Sequence, residues 1–366
     1  MVMKIQAAVA RKGAIVDIET CELSEPAARE VRVRLEACGI CHTDLLALGG
    51  QLGTKMPAVL GHEGVGRIEA LGDGVVDFAV GDRVLMSFGA CGCCAACESH
   101  DPAYCDAAFA LNFAGRRRNG SAPMSLGGRP ITSHFFSQSS FATHTLASTQ
   151  NMVRLPEDLP PELMAPLACG VQTGMSAMLK VLNPQRHSRV AVFGCGTVGL
   201  AAVMAAALRE CERIVAVDLK PQRTDLAREL GATHAVVSDS HSLQEQLLAL
   251  GPFDAAIDCT GNVPVIEQAF QSLAIRGQLV CAGVTPPGRK LNICPRELVF
   301  GGRQLRGTVE GDAHPRTFIP EMIDHYRKGR LPLEKLVRVY PFAEVNQAIA
   351  DLSSGVTIKP VLKMSH

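Results

Sequence analysis

The stretch Arg189-Val-Ala-Val-Phe-Gly-Cys-Gly-Thr-Val-Gly-Leu-Ala-Ala-Val-Met-Ala-Ala-Ala-Leu208 decides the fold. Hydropathy alone reads Val190 to Leu208 as 19 residues without a charge, near the length of a membrane span. Gly194, Gly196 and Gly199 interrupt that run. A buried strand from Arg189 to Phe193, a tight turn, and a helix from Thr197 to Arg209 explain it better, which argues against a membrane span. Ile214-Val-Ala-Val-Asp218 reads as a second buried strand. A helix from Gln222 to Leu230 is stopped by Gly231. Asp254 to Asp258 and Gln278 to Ala282 are further buried strands. Strands alternating with helices predict a doubly wound parallel sheet covered on both faces, an α/β architecture.

The glycine spacing fits G-x-G-x-x-G, which alone is weak. Here it follows a strand, opens a helix, and precedes the acidic strand end Asp218 by 19 residues. That context points to a dinucleotide site. Gly194 makes the turn, Gly196 lets a pyrophosphate approach the backbone, and Gly199 lets helix and strand pack closely. The helix N-terminus supplies free N–H donors. Asp218 can bind the adenosine ribose hydroxyls and would repel a 2′-phosphate, so NAD is expected rather than NADP. Arg223 is the counter-signal, since an arginine there can accommodate the phosphate or line the adenosine rim.

Outward from this core, the sheet domain is expected over 171–306. The first half, 1–170, is rich in short β-branched runs divided by Gly and Pro. Val31 to Leu35 alternates in strand fashion, and Gly81 to Met86 reads as turn then strand. That half reads as a β-rich, barrel-like domain, rejoined by 307–366 where His314-Pro-Arg316 suggests the chain leaves the sheet. The run Arg116 to Arg118 reads as a solvated loop.

Lys plus Arg and Asp plus Glu are 36 each, so no basic surplus exists to track a nucleic-acid backbone. Fourteen cysteines are many, yet residues 1–13 show no secretory cleavage pattern. A cytoplasmic chain with reduced thiols is expected, in which clustered cysteines mean metal or catalysis.

Five cysteines fall within the 15 residues from Cys91 to Cys105. Cys91, Cys94, Cys97 and Cys105 have the repeated C-x-x-C spacing that lets four thiolates converge on one tetrahedral ion, a closed and therefore structural zinc site. Cys93 is an alternative ligand, and a redox or disulfide cluster is the competing reading. A second constellation is dispersed: Cys41 in Gly39-Ile-Cys-His-Thr-Asp44, His62 in Gly61-His-Glu-Gly-Val-Gly66, and Cys169 in Pro166-Leu-Ala-Cys-Gly170. Asp44 could fix the tautomer of His62. Glu63 could approach a metal transiently, and Thr43 offers a hydroxyl to pass a proton.

The segment from Gly61 through Gly66 and Gly72 to Val75 resembles the signature of the zinc-dependent medium-chain alcohol dehydrogenases. The cysteine lobe, the Cys-His-Thr-Asp segment and the glycine turn follow in that family's order, across nearly the whole chain. The resemblance implies a GroES-like catalytic domain, a Rossmann domain and a cleft between them. It implies a catalytic zinc on Cys41, His62 and Cys169, a ligand set that belongs to the family and does not follow from spacing. It places Thr173 and Val198 around the nicotinamide, and Lys359 and His42 on the phosphate side. It further implies a homo-oligomer, with a tetramer favoured over a dimer, and a small alcohol or aldehyde as partner.

Asn112 to Arg116 and the Phe-rich run Ser133 to Ala142 are similar to the aryl-alcohol branch and to allylic enzymes such as geraniol dehydrogenase. Core packing is the plainer reading of the Phe-rich run. The implied reaction is reversible oxidation of aromatic or allylic primary alcohols. Other alcohols on the same scaffold, and a regulator without turnover, are the alternatives. One departure stands out. Where many members carry a histidine five residues after the first zinc cysteine, this chain has Leu46. The proton is expected to leave through the nicotinamide ribose to His42, or to water. The eight remaining cysteines, Cys195, Cys259 and Cys281 among them, read as small buried hydrophobes.

Overall fold

The computed structural model describes residues 2–11, 15–238 and 242–365. They form two compact units. One comprises the chain up to Cys169, His314–Ile323 and the chain from Leu333 onward; the other comprises Gly170–Ala313 and Asp324–Pro332.

The second unit is built on six parallel strands, ordered His234–Val237, Arg213–Asp218, Arg189–Phe193, Phe253–Asp258, Leu273–Cys281 and Gln304–Gly307. The first strand in sequence lies centrally, between Arg213–Asp218 and Phe253–Asp258. The strand order therefore reverses beside it, and a ligand crevice opens at the carboxyl ends of strands at such a reversal. Val190, Ala191, Val192 and Phe193 have no exposed surface, which is why their run lacks polar alternation. The helix Thr197–Leu208 buries every residue from Gly199 to Ala206. A helix apolar on all sides is a core helix here. No helix of the described residues is long and apolar enough to cross a membrane. The chain stays with this unit to Ala313, past the expected exit at 306, because Gly311 packs directly on the backbone of Thr173 and Ala177.

The first unit holds two mainly antiparallel sheets. One runs Ala58–Val59, Met3–Ala10, Val16–Leu23, Met124–Leu126 and Arg129–Pro130. The other runs Met152–Arg154, Arg83–Met86, Glu63–Leu71, Glu30–Gly39, Lys359–Lys363 and Val337–Pro341, with His144–Ser148 also paired to Glu30–Gly39. In Glu30–Gly39 the side chains of Val31, Val33 and Leu35 are fully buried while Arg32 and Arg34 are half-buried, the expected alternation. Pairing Val361 with Gly39 stitches the end of the chain beside the first zinc-segment residues.

Arg117 is not a solvated loop residue: its guanidinium donates to both oxygens of the buried Glu30. The eight remaining cysteines are not uniformly buried either. Cys21, Cys38, Cys195 and Cys211 are buried, Cys259 and Cys281 partly so, and Cys93 and Cys294 are exposed.

Candidate active site

The strand Glu30–Gly39 runs into the helix His42–Leu48, and its cap organises the site. Asp44, fully buried, accepts from the Cys41 N–H at 2.9 Å and from the Gly61 N–H at 3.1 Å. It also holds His62 Nδ1 at 3.0 Å. A carboxylate accepting from Nδ1–H leaves Nε2 as the lone-pair nitrogen. That Nε2 is buried and has no hydrogen-bond partner.

Opposite stand the two sulfurs of Cys41 and Cys169, 4.0 Å apart. Two Zn–S bonds of ~2.3 Å at a tetrahedral angle separate sulfurs by about 3.8 Å. One ligand atom each from Cys41, His62, Glu63 and Cys169 lies within 4.8 Å of all the others. The Cys169 sulfur, followed by His62 and Lys359, holds the Cys41 thiol well below its ordinary value despite burial. An orphaned imidazole nitrogen facing two thiolates fits zinc.

Thr43 Oγ lies 3.7 Å from the Cys41 sulfur, so the hydroxyl is at the centre. His42 is exposed on the first turn of the same helix, and Leu46 is half-buried one turn on. Lys359, expected on the phosphate side, pairs here with a carboxylate. Its side chain is 98% buried, and its ammonium lies 2.7 and 2.9 Å from the two oxygens of Glu63 and donates to Ile40 O. The strand pairing that buries Lys359 leaves it a partner inside the first unit. Glu63 is thereby both a potential fourth ligand and one half of an ion pair.

Three side chains of the Ser133 to Ala142 run contribute in ways the run alone did not assign. Phe136 stacks on the His62 ring at 4.4 Å, and Phe135 meets it edge-on at 5.8 Å. Gln138, fully buried, donates to His62 O, Met86 O and Ser87 O and accepts from the Gly64 N–H. A glutamine inside a Phe- and Ser-rich run was the available signal.

Cys91, Cys94, Cys97 and Cys105 converge in the same way, with ligand atoms within 4.8 Å of one another. The Cys91 N–H and the Ala107 N–H both point at the Cys105 sulfur. The Cys93 N–H, before other causes, holds Cys91 down to about 6. Cys93 itself is exposed and outside the converging four.

In the second unit, Gly194 has φ +90°, a conformation that favours glycine. A Cβ on Gly199 would lie 1.7 Å from Gly194 O, so helix and turn touch through backbone. A Cβ on Gly196 would meet nothing within 4 Å, which leaves open space before a helix N-terminus, as a pyrophosphate requires. Asp218 accepts from the Cys195 N–H at 2.7 Å, and Arg223 stands 3.9 Å from its carboxylate. Thr173 donates to Glu310 at 3.2 Å, and Gly174 packs against Val198 O.

Residues 27–157 match the alcohol dehydrogenase GroES-like domain and 197–328 the zinc-binding dehydrogenase domain. The chain is 38% identical to the geraniol dehydrogenase of Castellaniella defragrans, covering 98% of this chain and 97% of that one. An alcohol dehydrogenase zinc-binding domain protein from Burkholderia ambifaria superposes with a TM-score of 0.97 at 42% identity, covering both chains fully. The benzyl alcohol dehydrogenase of Acinetobacter calcoaceticus superposes with a TM-score of 0.95 at 37% identity, over 99% of this chain and 100% of that one. With two ligand clusters suited to zinc and a dinucleotide turn in one chain, these matches make it a member of the zinc-dependent medium-chain alcohol dehydrogenase family.

Proposed function

We propose that this alcohol dehydrogenase oxidises aromatic or allylic primary alcohols to aldehydes with NAD, and reduces them in reverse, using one catalytic and one structural zinc. The observation that carries the reading is the aromatic packing around the catalytic ligand. Phe136 lies face-on to His62, and Phe113 and Phe135 complete a cluster of rings. Likeness to a geraniol and a benzyl alcohol dehydrogenase over nearly the full chain supports it. Asp218, at the end of the second strand, supports NAD over NADP by charge repulsion.

Bound zinc would supply Lewis acidity, which lowers the pKa of a bound oxygen by several units, and NAD would supply the hydride acceptor. The chain's own work is positional. Asp44 orients His62, and Cys41, His62 and Cys169 would hold the metal. The Thr43 hydroxyl would accept the alcohol proton as it gives up its own, which would leave through the nicotinamide ribose to the exposed His42, or to water. Cys91, Cys94, Cys97 and Cys105 hold the second ion and fold a segment with little core of its own.

NADH formation with benzyl alcohol, geraniol, ethanol and sorbitol tests the reading. Benzyl alcohol or geraniol is expected to exceed the other two in kcat/KM by at least about tenfold, the scale on which an apolar site discriminates. Preference for ethanol or sorbitol would move the assignment to other alcohols.

A further inference from the structure

The segment after the last parallel strand has an unusual backbone. Glu310, Gly311 and Asp312 are three consecutive left-handed residues, with φ of +52°, +70° and +53°. Two of them carry side chains, and non-glycine residues persist there only when their surroundings enforce it. The enforcing contacts are visible. A Cβ on Gly311 would lie 2.6 Å from Thr173 O and 2.9 Å from Ala177 N, so the turn is pressed onto the helix Gly170–Ser176. Asp312 anchors the far side, accepting from the Thr308 hydroxyl at 2.7 Å and pairing with Arg306. The outcome is a half-buried Glu310 that accepts from the Thr173 hydroxyl at 3.2 Å.

Its place in the sheet matters. Glu310 follows Gly307 at the carboxyl end of Gln304–Gly307. Asp218, suited to the adenosine ribose, stands at the carboxyl end of Arg213–Asp218, on the other side of the glycine turn. A dinucleotide whose pyrophosphate sits at that turn extends its other half over the ends of the later strands. Gly174, next to Thr173, packs on Val198 O, directly after the turn.

We propose that Glu310 presents its carboxylate to the nicotinamide half of the bound dinucleotide and favours the oxidised, positively charged ring over the neutral reduced one. The inference rests on the NAD reading above and adds a residue to it. Glu310 is a positioning and electrostatic residue: Thr173 and the left-handed turn fix its carboxylate, and its charge acts on the ring.

The test is the dissociation constants of NAD+, NADH and ADP-ribose for the wild-type enzyme, Glu310→Gln and Glu310→Asp. Loss of one negative charge at a partly screened site raises the NAD+ constant by about tenfold, while NADH stays within about twofold. ADP-ribose, which lacks the nicotinamide, is unchanged. Glu310→Asp keeps the charge and retains a wild-type ratio of NAD+ to NADH affinity, so a poorly folding Glu310→Gln leaves the idea exposed to refutation. Equal shifts for all three ligands, or an unaltered NAD+ to NADH ratio in Glu310→Gln, overturn the proposal. A wild-type enzyme that binds neither NAD+ nor NADH overturns the NAD reading itself, and is seen before any variant is made.

Discussion

The Lys359 ammonium lies 2.7 Å from Oε1 and 2.9 Å from Oε2 of Glu63, with 2% and 0% of the two side chains exposed. Burial alone would lower the lysine, and the Glu63 carboxylate overrides it, holding Lys359 above its ordinary value. A charge so buried depends on its partner. Lys359→Met should therefore destabilise the first unit by about 3–5 kcal/mol, because it strands a buried carboxylate. Adding Glu63→Gln should recover much of that loss. Urea midpoints of both variants check this; a single variant as stable as the wild type contradicts it.

Asp44 acts on the metal through His62. Asp44→Asn keeps the size and an acceptor oxygen but weakens its hold on Nδ1–H. Zinc affinity at the catalytic site should fall by about 10- to 100-fold, as for other ligand-orienting carboxylates. Competition with a chelator of known affinity measures it, and an unchanged zinc constant would remove Asp44 from the account.

The cysteine lobe should behave independently. Cys94→Ser removes one of four ligands from a closed site and should cost one zinc per chain while sparing the ligands Cys41, His62 and Cys169. Proteolysis should then cut near 91–105 in the variant first. Retention of both ions, or cleavage elsewhere, would show that the four thiols do not hold a metal.

His134 gives the pH dependence. Burial pushes it down to about 4 from 6.5, with Glu30 opposing and Arg117 adding. Below pH 6.5 the unfolded chain takes up a proton that the folded chain refuses, so stability is full above that value. It is lost as pH falls toward 4. The loss reaches about 3 kcal/mol, on the order of the shift times 1.36 kcal/mol. Unfolding midpoints across that window should slope less in His134→Gln than in the wild type. Parallel slopes would reject His134 as the group responsible.

The central strand, the glycine turn and Asp218 were legible in the sequence because each is local: a run, a spacing, a strand end. The converging cysteines were legible for the same reason. The Lys359–Glu63 pair was not, because it forms only when Lys359–Lys363 pairs with Glu30–Gly39, a register that no local pattern specifies. Arg117 looked like part of a solvated run, yet Glu30, 87 residues away, draws it inward. Phe136 was equally ambiguous. An apolar ring packs the same way against aliphatic core or against an imidazole, and only the fold brings it to His62.

Zinc content and NADH formation from benzyl alcohol, measured together for the wild type and His62→Ala, decide whether Cys41, His62 and Cys169 hold a working zinc. Two zinc ions per chain are expected in the wild type and one in the variant, with turnover lowered by about a thousandfold, the scale of losing several kcal/mol of Lewis-acid assistance. A variant that keeps both ions and wild-type turnover would contradict that expectation.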